Sequence, residues 1–152
     1  MTKTIQCLGG VIFLFLTNTL YANNAKIDGL WQATYAASNT PSSHIEITTL
    51  ANGEVQGVIK IAYPRPGVTH ASPNCEKCSG ANKDKPIVGM QVLWGEMPAG
   101  KNKWSGGTVL DPEEGKEYKA NLTLSDDGNT ISVRGFILTP SIGQTVTWIR
   151  IK

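Results

Sequence analysis

Two groups of side chains in this sequence have the types and spacing for chemistry. The first is Cys75-Glu76-Lys77-Cys78, with His70 five positions earlier and His44 further off. Paired thiols at this spacing can form a local disulfide, exchange with another dithiol, or ligate a metal. Exchange chemistry places C-x-x-C at the start of a helix, whose dipole lowers the thiol pKa. Here Ser79-Gly80 and nearby prolines oppose a helix. A zinc site wants four ligands, and no second C-x-x-C or H-x3-H is present. The disulfide is the favoured reading. The second group is Asp111, Glu113 and Glu114, which could hold a hard cation or work as an acid–base pair. The competing explanation is a turn. Asp111 can bond the backbone ahead, Pro112 presets φ, and Gly115 supplies positive φ. No Ser-His-Asp arrangement, phosphate loop or dinucleotide fingerprint accompanies them. No cofactor, metal or catalytic residue is expected.

Those residues belong to a chain of short alternating runs punctuated by turns, the signature of an all-β domain. Residues 104–118 read as strand, tight turn, strand, with Gly106 and Gly107 inside the first strand, where glycine suits a bend or a close approach. Strands are predicted over 30–36, 44–50, 54–63, 87–95, 104–110, 116–124, 130–138 and 143–151. Asn52-Gly53 and Asp127-Gly128 mark hairpins. Residues 64–86 form a long irregular segment, and 96–103 a connection. Along 87–95 the alternation puts Val88, Met90, Val92 and Trp94 on one apolar face. About eight consecutive strands with hairpin-length links pair most simply as an antiparallel meander. Closure into a barrel removes its two edges; an open sheet or a two-sheet sandwich is the alternative.

The first 22 residues read differently. Lys3 precedes an apolar run, Leu8 to Leu16, too short to span a bilayer, and Ala22 offers a cleavage site before Asn23. Residues 1–22 are therefore expected to be a signal peptide and 23–152 one domain, exported to the periplasm or secreted. Cys7 lies before the apolar run, so no lipid anchor follows. Removing the peptide lowers the net charge from +2 to +1 and leaves Cys75 and Cys78 as an even pair, which fits an oxidising compartment. No basic stripe supports nucleic-acid or anionic-membrane binding. No second apolar run is long enough for a transmembrane helix.

Gly29-Leu30-Trp31 opens the first strand, and Trp148-Ile149-Arg150 ends the last. This resembles lipocalin-like barrels, in which a G-x-W tryptophan packs across the closed end against a final-strand arginine. With C-E-K-C at Cys75, I-V-G-M at Ile87, W-S-G-G-T-V-L-D-P-E-E-G-K-E-Y at Trp104, V-R-G-F at Val133 and T-W-I-R at Thr147, the chain resembles the exported bacterial family of domain of unknown function 2147. The resemblance covers about residues 27–151 and implies a lipocalin-like, up-and-down antiparallel barrel, with no established activity. Trp31 and Arg150 then become closed-end structural residues. Strand parity places 37–43, 64–86, the D-P-E-E-G turn and the last hairpin at the open end. A barrel of this size holds side chains or one small ligand. Its candidate lining is Tyr35, Tyr63, Met90, Trp94, Tyr118, Phe136 and Trp148, with Arg134 either a partner for a ligand carboxylate inside the barrel or an outward-facing arginine. The functional expectation is a barrel that binds or carries a small apolar or amphipathic molecule. An envelope enzyme or redox protein, and a structural or protein-binding module, are the alternatives.

Overall fold

The computed structural model describes residues 26–69 and 71–152. The expected signal peptide, Cys7 and His70 lie outside them. Turn chemistry and alternation build eight strands: β1 Gly29–Thr34, β2 Pro41–Thr49, β3 Val55–Ala62, β4 Gln91–Gly100, β5 Lys103–Asp111, β6 Lys116–Leu124, β7 Thr130–Phe136 and β8 Gly143–Arg150. Each pairs antiparallel with the next, and β8 returns to β1, so the sheet closes as a barrel in sequence order. The open sheet and the sandwich are excluded. At the seam Trp31 stands opposite Arg150 and Gln32 opposite Ile149. The tail extends the seam, with Leu30 N–H donating to Lys152 O and Ile151 N–H to Leu30 O.

The interior follows the alternation. Trp31, Ala33, Ile45, Ile47, Val55, Ile59, Leu93, Ala120, Leu122, Leu124, Ile131, Val133 and Trp148 are all buried in one core. Most of the opposite positions are polar: Glu46, Thr48, Lys60, Lys119, Thr123 and Ser132 are exposed, with Ile149 an apolar exception. This is the reverse of the apolar-out pattern of a membrane-spanning barrel. Among the described residues no helix is long and apolar enough to cross a membrane.

β4 departs from the expected strand over 87–95. It begins at Gln91, because Ile87 to Met90 are irregular and Gly89 takes φ 91°. It then runs on through the expected 96–103 connection to a tight turn after Gly100. Two bulges also break its alternation. Between Val58↔Gln91 and Gly57↔Leu93, and again between Gly57↔Leu93 and Val55↔Glu96, β4 spends an extra residue. The second bulge holds Gly95 at φ 74°. A bulge shifts side chains to the other face. The apolar face expected from Val88 to Trp94 is therefore not continuous. Val88 is exposed, Leu93 points inward at 0% exposure, and Trp94 turns out, half-buried.

Candidate functional site

The two ends of the barrel are built differently. At the closed end Trp31 is fully buried, and its Nε1–H donates to Ile27 O at 2.9 Å. The Arg150 guanidinium stacks 4.1 Å from its ring centroid. Arg150 donates to three backbone carbonyls, Gly128 and Lys26 at 2.6 Å and Asp28 at 2.8 Å. These bonds fix the guanidinium by main chain on both sides of the seam. Trp31 and Arg150, expected together at the closed end, are in contact across the β1–β8 seam.

The open end carries the polar side chains. The β5–β6 turn forms as the D-P-E-E-G sequence requires. Asp111 Oδ1 accepts from Glu113 N–H at 2.9 Å and from Glu114 N–H at 3.4 Å. Gly115 takes φ 68° and donates to Asp111 O at 2.8 Å. Burial raises the Asp111 pKa, partly offset by those two amides. A Cβ on Gly115 would strike the Lys77 carbonyl and Cys78 N, so glycine is needed for space as well as φ. The irregular segment between β3 and β4 lies against this turn at Lys77 and Cys78, and the Cys75–Cys78 disulfide closes a local ring within that segment. Cys75 Sγ sits 3.1 Å from Pro112 O, a packing contact because a bonded sulfur has no proton to donate. The two cysteines are 0% and 4% exposed, which hides them from a thiol partner. Among the described residues, no three His, Cys, Asp or Glu side chains converge on a metal site.

The turn aims Glu113 over the mouth. In an eight-stranded ring, the end of β1 lies opposite the β5–β6 turn. Tyr35, just past β1, reaches Glu113 Oε1 with its hydroxyl at 2.8 Å, and Tyr63 O at 2.6 Å. One proton serves two acceptors. Arg65, after β3, ion-pairs with Glu113 Oε2 at 2.5 Å, and its guanidinium sits 5.3 Å from the Tyr35 ring centroid. A bar of three side chains thus spans the mouth. Burial, and then the neighbouring Glu113 carboxylate, raise the Tyr35 phenol pKa, so it stays protonated. Tyr118 donates to Glu114 Oε2 at 3.1 Å, and Tyr63 Oη lies 3.2 Å from His44 Nε2.

Beneath the bar, the barrel interior holds one carboxyl group. Glu96 is 0% exposed, and neither carboxylate oxygen has a hydrogen-bond partner. Burial pushes its pKa up to about 8, with the nearby Gly107 amide offsetting part of the penalty. A Cβ on Gly107 would come within 2.6 Å of Glu96 Cγ and Cδ, so this glycine gives the acid its room. Glu96, expected in the 96–103 connection, is instead a buried residue of β4. The available signal was Gly107 inside a strand, which announced a close approach without naming its partner.

The expected lining residues separate into groups. Trp148 is inward and buried, Tyr118 inward and half-buried, and Tyr35 sits in the bar. Met90 is buried in the core from the irregular approach to β4. Tyr63 falls beyond β3 and is 36% exposed. Trp94 lines an outer concavity of about 200 Å³ with Asn82, Gln91 and Glu117. An adjoining open groove of about 340 Å³ runs along Lys85, Val88 and Met90. Arg134 faces out, because Ile131 and Val133 hold the inward parity of β7. It donates to Pro140 O at 2.7 Å and Thr145 Oγ1 at 3.0 Å. Phe136 shares that outward parity and is buried outside the core cluster, against Gly143.

Among solved structures, the fold is similar to protein HP1028 from Helicobacter pylori, described as belonging to the lipocalin family. The TM-score is 0.70 at 16% identity, with 84% of each chain covered. None of the curated proteins matches the chain. The family model that matches covers residues 29–150, the whole barrel from the glycine before Trp31 to the arginine that stacks on it, and the chain belongs to that family, described as an uncharacterized protein conserved in bacteria (DUF2147).

Proposed function

We propose that this barrel binds a small amphipathic molecule in its upper half, with the polar group at the Tyr35–Glu113–Arg65 bar and the apolar part toward Tyr118 and Val109. The observation that carries the reading is the gradient of burial along the barrel axis. Inward side chains near the closed end, such as Trp31, Val55 and Ile131, are fully buried. Inward side chains near the mouth, Tyr35, Val109 and Tyr118, keep partial exposure above that floor. A barrel of eight strands has room for one small ligand where side chains do not fill it. Glu113 and Arg65 supply an acceptor and a donor that a ligand head group could engage after parting the pair. The likeness to a lipocalin-family structure supports the fold on which this reading rests. The signal-peptide reading of residues 1–22 and the Cys75–Cys78 disulfide support an exported protein that works in the periplasm or outside the cell.

The test is titration of the protein with N-phenyl-1-naphthylamine, alongside native mass spectrometry of protein purified from its own envelope. Saturable one-to-one fluorescence enhancement and a co-purified small molecule are expected. Linear, non-saturating fluorescence with no mass adduct would sink the reading.

A further inference from the structure

The hairpin between β7 and β8 has a separate property. From Gly135 to Ile149 the chain carries no charged side chain. Within that run Ile137, Leu138 and Ile142 are 69%, 78% and 73% exposed, the most exposed large hydrophobics of the described residues. They occupy one connection at the open end of the barrel. The loop is nonetheless built. Arg134 donates to the carbonyls of Pro140 and Ser141, and Ile142 N–H donates to Thr139 O. Phe136 is buried at its base. Its main chain is held from below, so the three aliphatic side chains are displayed outward.

We propose that this hairpin tip is a membrane-docking site that inserts Ile137, Leu138 and Ile142 into the interfacial region of a bilayer. Three features choose lipid over a protein partner. Three aliphatic side chains offer roughly 300 Å² of apolar surface at the areas implied by transfer energies. A stable dimer needs about 800 Å² from each partner. The tip's own side chains carry no charge, and the one guanidinium bonded to it, Arg134, reaches it from β7 at its base, so the three aliphatic side chains can leave water without an ionic group of their own to desolvate. The remaining polar groups of the tip are the hydroxyls of Thr139 and Ser141 and main-chain groups, of which Arg134 engages the Pro140 and Ser141 carbonyls and Ile142 N–H pairs with Thr139 O. Such groups tolerate the wet, headgroup-level zone. The tip enters from the open end, so a docked barrel presents its mouth to the bilayer. The proposal does not require the barrel to carry a ligand, and it stands or falls apart from that reading.

The described strands form a closed barrel with its own core, so the test uses the chain from Asn23 onward, free of the apolar N-terminal run. Vesicles of phosphatidylcholine alone are the probe, with co-sedimentation measured at low and at 0.5 M salt. Wild type is expected to partition onto neutral vesicles with less than twofold change across salt, since no charge pair holds it. The combined Ile137→Ser, Leu138→Ser and Ile142→Ser variant is expected to lose at least tenfold in partitioning. A Leu138→Cys variant labelled with an environment-sensitive dye reports the same event without the triple change. Its emission should shift to the blue on adding vesicles, while a dye at Thr123→Cys on β6 should not move. Wild type remaining in the supernatant, or the triple variant partitioning like wild type, overturns the proposal. So does a dimer in light scattering that the triple variant dissolves, because the tip would then serve a second copy of the chain.

Discussion

Each end of the barrel uses an arginine against an aromatic ring, and the two are held in different ways. Arg150 stacks on Trp31 and donates to three main-chain carbonyls, none of which can rotate away. Arg65 lies over Tyr35 and pairs with the Glu113 side chain, at 52% and 33% side-chain exposure. A guanidinium caged by backbone moves only if strands move. A half-exposed pair between side chains contributes about 0–1 kcal/mol and yields to solvent or a competing ion. One end is therefore a fixed seal, and the other is a clasp that can open. The ligand site proposed above lies at the clasp, and the stability of the fold belongs at the seal.

The largest blow to this contrast should come from Trp31→Ala. The side chain is fully buried and pins Ile27 through its indole N–H. Truncating a buried tryptophan costs about 3–5 kcal/mol, and here it also leaves Arg150 without its stacking partner. Urea denaturation should show the midpoint collapse. A variant with a near wild-type midpoint would mean that the closed end is no seal.

Glu96 should give the next largest effect, with a sign that depends on pH. Below the ordinary carboxyl value of 4.5, folded and unfolded chains both carry the proton, and no ionisation penalty arises. Between 4.5 and about 8 the unfolded chain has released its proton while the folded chain keeps it. Stability then falls by about 1.4 kcal/mol per pH unit and levels off above the folded value. Glu96→Gln keeps the shape and removes the titration. It should flatten the pH profile and stabilise the fold by roughly 4 kcal/mol at pH 8, with little change at pH 4. Parallel stability profiles for the two proteins would show that the carboxyl finds solvent in the folded state.

Much of this architecture was legible because its signals are local. Asp111, Pro112 and Gly115 specify their turn by side-chain chemistry and φ, and β6 was placed at 116–124, as it is found. The Trp31–Arg150 pairing was implied by the likeness to lipocalin-like barrels, and the strand count agreed with it, since an even number in up-and-down order returns the last strand to the first. The illegible part is concentrated in β4. Two bulges shift its parity, and a bulge depends on what the neighbouring strand offers, which alternation along one segment does not encode. That slip hid Leu93 and Glu96 and promoted Trp94. The mouth bar was missed for a related reason. Tyr35, Arg65 and Glu113 are far apart in sequence, and only ring closure brings them together. Arg134 had two readings open, and the parity of Ile131 and Val133 selects the outward one.

The disulfide tests whether the mouth depends on its support. Cys75→Ser with Cys78→Ser should lower stability by about 2 kcal/mol, the value expected for so short a ring if the denatured chain gains the lost freedom. Because the pair packs on Pro112, the loss should also loosen the turn that aims Glu113. Hydrogen exchange at Gly115, whose amide donates to Asp111 O, should speed up while exchange at Ile151, on the seam, stays slow. Equal acceleration at both sites would mean that the ends are not separable.

The smallest expected effect on stability comes from the clasp itself, and it separates the ends most cleanly. Glu113→Gln keeps an oxygen for the Tyr35 hydroxyl but removes the charge that holds Arg65. The stability change should be under about 1 kcal/mol, well below that of Trp31→Ala. The Tyr35 phenol should titrate at lower pH, because part of its upward shift comes from the Glu113 carboxylate, although burial keeps it above the ordinary value of 10. Ultraviolet titration of the tyrosines would show this. If the clasp closes the mouth, N-phenyl-1-naphthylamine should also enter the variant faster in stopped flow, with the wild-type entry rate rising toward it at high salt as the Arg65–Glu113 pair is screened. A variant that matches wild type in entry rate at every salt concentration would make the bar an ornament of the rim rather than its gate, and the contrast between the two ends would reduce to one of packing alone.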